Sequence, residues 1–468
     1  MDKILEQARE TSVIEDADVV VIGGGPGGIT AAVAAARQGC KTILIERYGF
    51  MGGLATAGLM GPIFGYTHYN GDGKLQLGSI PVEIVRRLQA IGGAPADDVI
   101  DWRAVQFDPE LFKHIADAIV LESGVKVLLH SYVVDAVVKN KKIQAIIVES
   151  KSGRAAITGK TFIDATGDGD IAKFCNCPYT QGRAADGATQ SMGTKFRIGG
   201  VTEEALHPTP EDKKKVCQAI DAGKIPAYHV FWGEISEQGV TLRNTEITPT
   251  VTRARGFGTN VYDLTKAEIK TRKDTLEIVD FYRRNIPGYQ NCYLIDTPMT
   301  IGVRETRQVI GDYVLTGHDV LEYRKFDDTI ARGNWFLDIH CPLGLYNSAS
   351  NLCSKKCTIQ PDCLMKRKHR DQLYDTLNAP VLDDPSQMYN DIPYRCLVPQ
   401  GIDNLLISGR CISADHGGMA SIRVIATCFA IGEAAGIAAY LGLKSGAIPR
   451  DIPVGSIQES LRKAGVPL

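Results

Sequence analysis

The chain has 468 residues, 44% of them hydrophobic, which is enough for two or three domains and a large buried core. Lys and Arg total 52 against 54 Asp and Glu, and the formal charge of -2 leaves no basic excess to attract nucleic acid or an anionic membrane, so neither partner is expected. The opening MDKILEQARETSVIEDAD is acidic and lacks an apolar run, so it does not read as a secretory signal; cytoplasmic placement is expected, with the 12 cysteines as free thiols, metal ligands or redox groups rather than disulfides.

Val19 to Ile22 are apolar and β-branched, as suits a strand buried on both faces, and Gly23, Gly25 and Gly28 follow with GxGxxG spacing. The three glycines have separate tasks: a tight turn, bare backbone for a pyrophosphate, and close helix-on-strand packing. The Ala-rich helix that follows opens its N-terminus toward the phosphates, and Gly39 ends it. A second strand, Lys41 to Ile45, finishes at Glu46, about twenty residues past the turn, where an exposed strand end lets a carboxylate accept from ribose hydroxyls. A lone GxGxxG is weak, but strand, turn, helix, strand and acid together specify a dinucleotide site.

Tyr48 to Gly65 is glycine-rich and irregular, which points to close backbone approach to a ligand. Pro81 to Gln89 and Pro109 to Glu122 have helical apolar spacing, and Lys126 to Glu149 alternates as an antiparallel meander turning at Lys139 to Lys142. A strand from Lys160 to Ala165 runs into TGDGD, Thr166 to Asp170. From about Arg183 the texture changes to mixed strands and polar helices, including Leu264 to Arg284. Asn404 to Ile407 form a short strand into SGR. The long Gly/Ala stretch Val424 to Leu443 has membrane-spanning length but carries Glu433, so a buried helix is expected.

The GGGPGG turn with Glu46 and Arg47, the GG-L-A-T run of Gly52 to Thr56, ATGDGD at Ala165 to Asp170, and NLLISGR with SIRV near the end together resemble the FAD-dependent oxidoreductases of the glutathione-reductase-like superfamily. GVRETR (Gly302 to Arg307) and IPYRCLVP (Ile392 to Pro399) resemble a poorly characterised bacterial branch of it. The resemblance implies an α/β fold: a Rossmann-like FAD-binding domain, a parallel sheet with a meander and helices, built discontinuously from residues 1–182 and 391–468. A mixed α+β substrate or cap domain is inserted at 183–390. It places Gly23, Gly25 and Gly28 at the pyrophosphate with Gly167 and Asp168 nearby, Glu46 at the adenosine ribose and Val133 at the adenine. Arg47, Gly53, Ala55 and Thr56 join the cofactor set, while Gly409, Arg410, Ser421, Ile422 and Arg423 border the flavin. No second GxGxxG lies outside residues 23–28, so a separate nicotinamide domain is not expected.

A flavin performs the redox step at its own ring and leaves the protein to orient substrate and supply protons. Arg304 and Arg307 are either a carboxylate clamp or structural ion-pair partners. His340 and His416 are either acids and bases near neutral pH or hydrogen-bonded structural residues. Cys341, Cys353, Cys357 and Cys363 are close enough in sequence to ligate an iron–sulfur cluster or zinc, or are unligated loop thiols. Cys175 and Cys177, one residue apart, read as packing. The leading expectation is an enzyme acting on a small organic substrate, with a carboxylate as one candidate, as a homo-oligomer. An electron-transfer subunit serving a partner protein through a cysteine-ligated cluster, and a cofactor-biosynthesis or RNA-modifying flavoprotein, are the alternatives.

Overall fold

A computed structural model describes residues 4–5, 7–67, 75–96, 104–227, 242–243, 245–341, 364 and 384–468. The first strand, β1 (Val13–Ile22), ends in four residues that are almost fully buried, as suits a parallel strand with strand neighbours on both edges. Helix α1 (Pro26–Arg37) returns the chain to β2 (Thr42–Ile45), which pairs in parallel with β1, Val19 opposite Thr42 through Ile22 opposite Ile45. Helix α2 (Pro109–Glu122) starts with proline and is capped by Asp108, whose carboxylate accepts from the Glu110 and Leu111 amides.

The next segment differs from the sequence expectation. Lys126–Leu128 (β3) does not open the meander but pairs in parallel with β2, because α2 has already carried the chain over the sheet as a crossover. The meander is the hairpin of β4 (Tyr132–Lys139) and β5 (Lys142–Ser150), turning where the sequence placed it. Asn140 and Lys141 both have positive φ, as a two-residue hairpin turn of matching twist requires. Strand β6 (Gly153–Asp164) is the longest among the described residues and joins the parts. Its first half pairs antiparallel with β5, its other edge runs parallel to β1, and its last three residues pair in parallel with the returning strand Leu405–Ile407. The seven-stranded sheet has the order β3-β2-β1-β6-β5-β4, with the returning strand also on β6.

A separate hydrophobic core, including Phe196, Ile198, Ile278, Tyr282 and Tyr289, lies between helix α3 (Val261–Asn285) and a three-stranded sheet of Glu246–Ile247, Arg197–Gly199 and Tyr293–Asp296. Val309, Leu315, Ile330 and Ala331 are back in the first core. Near the C-terminus a short helix, α4 (His416–Ile422), leads into α5 (Ile425–Ser445). By length and composition α5 could cross a membrane, yet 83% of its most apolar window is buried inside the protein, as Glu433 and the small residues led one to expect. It lies directly on α1. A side chain at Gly432 would begin 2.1 Å from the Gly27 carbonyl oxygen and one at Gly436 2.3 Å from that of Ala31, and the Thr30 hydroxyl donates to the Phe429 carbonyl at 2.7 Å.

Glu433 is 2% exposed, and burial pushes its carboxyl up to about 7 against hydrogen bonds from Ser79 and the Ile80 amide. A folded-state pKa above the unfolded value near 4.5 means that this group's stabilising contribution is complete below that value and is lost as pH rises to about 7. Glu433→Gln keeps an acceptor for Ser79 and Ile80 without the charge. Its melting temperature should exceed the parent's by several degrees at about pH 8 and approach the parent's near pH 5, as measured by circular dichroism.

Candidate functional site

The carboxyl ends of β1, β2 and β6 open onto a long cleft. Gly23 turns the chain with φ of 103°, and a side chain there would begin 2.4 Å from the Ala165 carbonyl oxygen. At Gly28 the corresponding position is 1.8 Å from the Gly23 carbonyl, so only glycine lets α1 pack on the turn. Gly25 is different: a side chain there would meet nothing nearer than 3.9 Å, and the space is part of the cleft. Gly25 is also the cap of α1 and supplies no side-chain acceptor, so the first helical amides have an opening suited to an anion.

Glu46, Arg47, Tyr132 and Val133 line one end of the cleft. Glu46 is not at an exposed strand end; it is 5% exposed, because the glycine turn and Tyr48 fold over it. Its two oxygens accept from the Gly24 amide at 2.7 Å and the Tyr48 amide at 2.9 Å, and burial pushes its pKa upward. Each carboxylate oxygen keeps a lone pair for a further donor such as a ribose hydroxyl. In the middle are Gly53, Ala55, Gly167 and Asp168, the last accepting from Arg410 Nη2 at 2.6 Å. Gly409, Arg410, Arg423 and Ile425 close the far end opposite Thr300 and Val303. There α5 presents its N-terminus, Ile425 and Cys428, to the cleft.

Four expected cofactor residues act from behind this lining. Gly28 packs α1, and Thr56 donates its hydroxyl to the Met51 carbonyl at 2.9 Å, tying down the 51–56 loop. Ser421 donates to the Trp335 carbonyl, and Ile422 is buried in the main core, so of that trio only Arg423 lines the cleft. Sequence reasoning also passed over Asp164. Fully buried, it accepts from the Thr166 hydroxyl and from the Ile171 and Ala172 amides, which shapes the TGDGD turn; burial pushes it up to about 6.

The candidate catalytic residues divide. Arg307 donates to Asp170 Oδ1 at 2.7 Å and to the Asp168 carbonyl at 2.8 Å, so it braces the same turn as an ion pair, with Asp170 as the partner. Arg304, Glu305, His340 and His416 come together around residues 190 and 191. Arg304 Nη1 donates to the Ser191 carbonyl at 2.6 Å, and the Gln190 amide donates to Glu305 at 2.7 Å. Both oxygens of Glu305 lie 2.9 Å from His416 Nδ1. His340 has both ring nitrogens engaged. Arg253 approaches Nδ1 at 3.3 Å and can only donate, so Nε2 carries the proton and donates to Asp338, 3.1 Å away. Burial, with Arg304 and Arg253 nearby, holds the His340 pKa well below its ordinary value. Asp338 also accepts from Arg423 at 2.8 Å, linking the cleft to His340. The sequence signals for these partners were present in GVRETR, which contains Glu305, and in the segment FLDIHCP, which contains Asp338.

Cys341 is half-buried, its sulfur 3.5 Å from Arg183 Nη1. Cys353, Cys357 and Cys363 lie outside the described residues, and among the described residues no group of three His, Cys, Asp or Glu side chains is arranged to hold a metal. Cys175 and Cys177 are buried, and burial raises both thiol pKa values, as inert packing thiols require.

Residues 18–461 match the family described as FAD dependent oxidoreductase. The chain belongs to that family. The oxidoreductase is 30% identical over 174 residues to the thiamine thiazole synthase of Methanococcus vannielii, an overlap of 32% of this chain and 56% of that protein, so it spans about half the length of this curated relative. It is 54% identical over 46 residues to the mitochondrial dihydrolipoyl dehydrogenase of Caenorhabditis elegans, 10% of this chain and 9% of that one. Among solved structures, a geranylgeranyl bacteriochlorophyll reductase-like protein from Thermoplasma acidophilum aligns over 96% of this chain and 83% of its own, with 13% identity and a TM-score of 0.40. The cofactor of the family is FAD. The cleft suits it: bare backbone at Gly25, an uncapped helix start for the diphosphate, and a buried carboxylate at the ribose end.

Two alanine substitutions separate packing from binding. Gly28→Ala should lower the yield of folded protein, because its methyl would overlap the Gly23 carbonyl. Gly25→Ala should melt close to the parent apoprotein yet bind FAD at least about tenfold more weakly, measured by fluorescence titration. Equal affinity in the Gly25 variant would move the diphosphate elsewhere.

Proposed function

We propose that this oxidoreductase acts on a small organic carboxylate bound between the flavin end of the cleft and the layer formed by residues 190–196, 250–254 and 300–307. The observation that carries the proposal is the placement of Arg304 and Glu305, one and two residues beyond cleft-lining Val303, with His416 held on Glu305. When bound, FAD supplies the hydride or electron chemistry. Arg304 is a planar donor suited to a carboxylate, and its anchorage on the Ser191 carbonyl limits its motion. Glu305 accepts the Nδ1 proton of His416, which leaves Nε2 as the ring atom for proton exchange with substrate. The fully buried Glu305 is itself held by Gln308 Nε2 at 2.6 Å and by the Gln190 amide. Placement in the glutathione-reductase-like superfamily belongs to the same proposal, supported by the glycine turn, Glu46 at the end of β2 and the β4–β5 meander beside the parallel sheet.

The purified protein should be yellow, and denaturation should release FAD rather than FMN. A panel of small carboxylates and their amides, added anaerobically, should contain an acid that bleaches the flavin band while its amide does not. With that acid, Arg304→Lys should raise KM about tenfold or more while kcat changes little, since a point charge cannot match the two-pronged guanidinium. Glu305→Gln should instead lower kcat by about a hundredfold with KM nearly kept, because the His416 tautomer is no longer set. An unchanged KM in the Arg304 variant would show that the substrate's carboxylate lies elsewhere.

A further inference from the structure

Behind the wall that Thr300 and Val303 give the cleft, three buried cations converge. Arg253 and Arg304 each bring Nη1 to 3.4 Å from where a side chain on Gly193 would begin, and Arg304 also acts electrostatically on Lys195. Lys195, Arg253 and Arg304 are 4%, 1% and 4% exposed. The Lys195 ammonium donates to the Gly61 carbonyl, and among the described residues the charged side chain that faces it is Arg304, of like sign. Burying a lysine against a neutral carbonyl and a second cation is unfavourable, and an incoming anion would offset that cost.

The stretches that carry Gly61 and His340, bonded to Lys195 and Arg253, also carry a run of aromatic rings. Phe64, three residues past Gly61, stands 4.5 Å from Trp335, which is 4.5 Å from Phe336, measured between ring centroids. Phe64 and Phe336 are half-buried. Two and four residues beyond Phe336 come Asp338, bonded to cleft-lining Arg423, and His340, bonded to Arg253. The Trp335 carbonyl accepts from Ser421, so the aromatic end sits at the α4–α5 corner beside the flavin end of the cleft. An apolar cluster of mutually tilted rings and a cationic terminus are therefore joined by two short stretches of chain.

We infer that the substrate is an aryl carboxylate, its carboxylate held by Lys195 together with Arg304 and Arg253, and its ring laid against Phe64, Trp335 and Phe336. This deepens the oxidoreductase proposal and rests on it. Binding takes up a proton. Burial and Arg304 push the Lys195 pKa down to about 7, and a carboxylate beside the amine restores its charge. Arg304 and Arg253 stay cationic throughout, His340 stays neutral because its pKa is held well below its ordinary value, and Asp338 is engaged by Arg423. Affinity therefore falls as pH rises above about 7, by at most about tenfold per pH unit.

The test uses the FAD-loaded protein titrated with benzoate, phenylacetate and 3-phenylpropionate, and with their amides, reading the shift of the flavin band. At least one acid should bind with saturation, at least about tenfold tighter than its amide, with the pH dependence above. Lys195→Met should weaken that acid about tenfold or more and flatten the pH dependence while retaining FAD. Lys195→Arg should keep binding and also lose the pH dependence, because arginine does not titrate there. The inference is overturned if no acid binds, if the amides bind equally well, or if both Lys195 variants keep the parent's pH dependence. A protein that holds FAD and is reduced by a neutral compound, but ignores these acids, would sink this inference and leave the oxidoreductase assignment standing; a protein without FAD would sink both.

Discussion

The close approach of α1 to its neighbours is the constraint on which the rest of the structure depends. On one side Gly28 lets α1 sit against the Gly23 turn, and on the other Gly432 and Gly436 let α5 lie on the carbonyls of Gly27 and Ala31. Helix, turn and helix thus meet backbone to backbone. Such packing leaves no room for a methyl group, and it sets where the uncapped start of α1 opens into the cleft. The N-terminus of α5 reaches the same cleft from residues some four hundred positions later in the chain. A cofactor site formed from both ends of the sequence depends on this one tight contact.

Around that contact the protein buries charge in pairs and then departs from the rule. Arg410 with Asp168, Arg307 with Asp170, Arg423 with Asp338 and His416 with Glu305 each match a donor to a carboxylate close to the cleft. Such pairs hold geometry more than they add stability, since desolvation offsets much of their attraction. Their value lies in orientation: Asp168, Asp170 and Asp164 give the TGDGD turn one shape, and Glu305 and Asp338 give two imidazoles defined tautomers. Lys195 has no carboxylate of this kind among the described residues, and that departure separates a site for an external anion from a structural network.

The cofactor half of the molecule was legible in the sequence to a degree that the substrate half was not. Strand, glycine turn, helix and Glu46 are local, and their spacing reports geometry directly, because each glycine answers to a neighbour only a few residues away. Even there, the burial of Glu46 was missed, since it comes from Tyr48 and Gly24 folding over the side chain rather than from the strand. Lys126–Leu128 was assigned to the meander because alternation in three residues does not distinguish a parallel partner from an antiparallel one. His416 and His340 were singled out by residue type. Their carboxylate partners, Glu305 in GVRETR and Asp338 in FLDIHCP, were not matched to them.

By itself the sequence determined the nucleotide turn, the acid that follows it, the buried character of α5 and the kind of cofactor, because these rest on local spacing and on composition along a single segment. Tertiary structure alone decided which of the basic residues brace turns and which join the buried cationic layer beside the cleft. Arg307 and Arg304 are three residues apart and chemically the same, yet one meets Asp170 and the other meets Ser191 and Lys195. That difference lies in partners brought from more than a hundred residues away, and charge pairing across such distances leaves no periodicity in the chain for a reader to find.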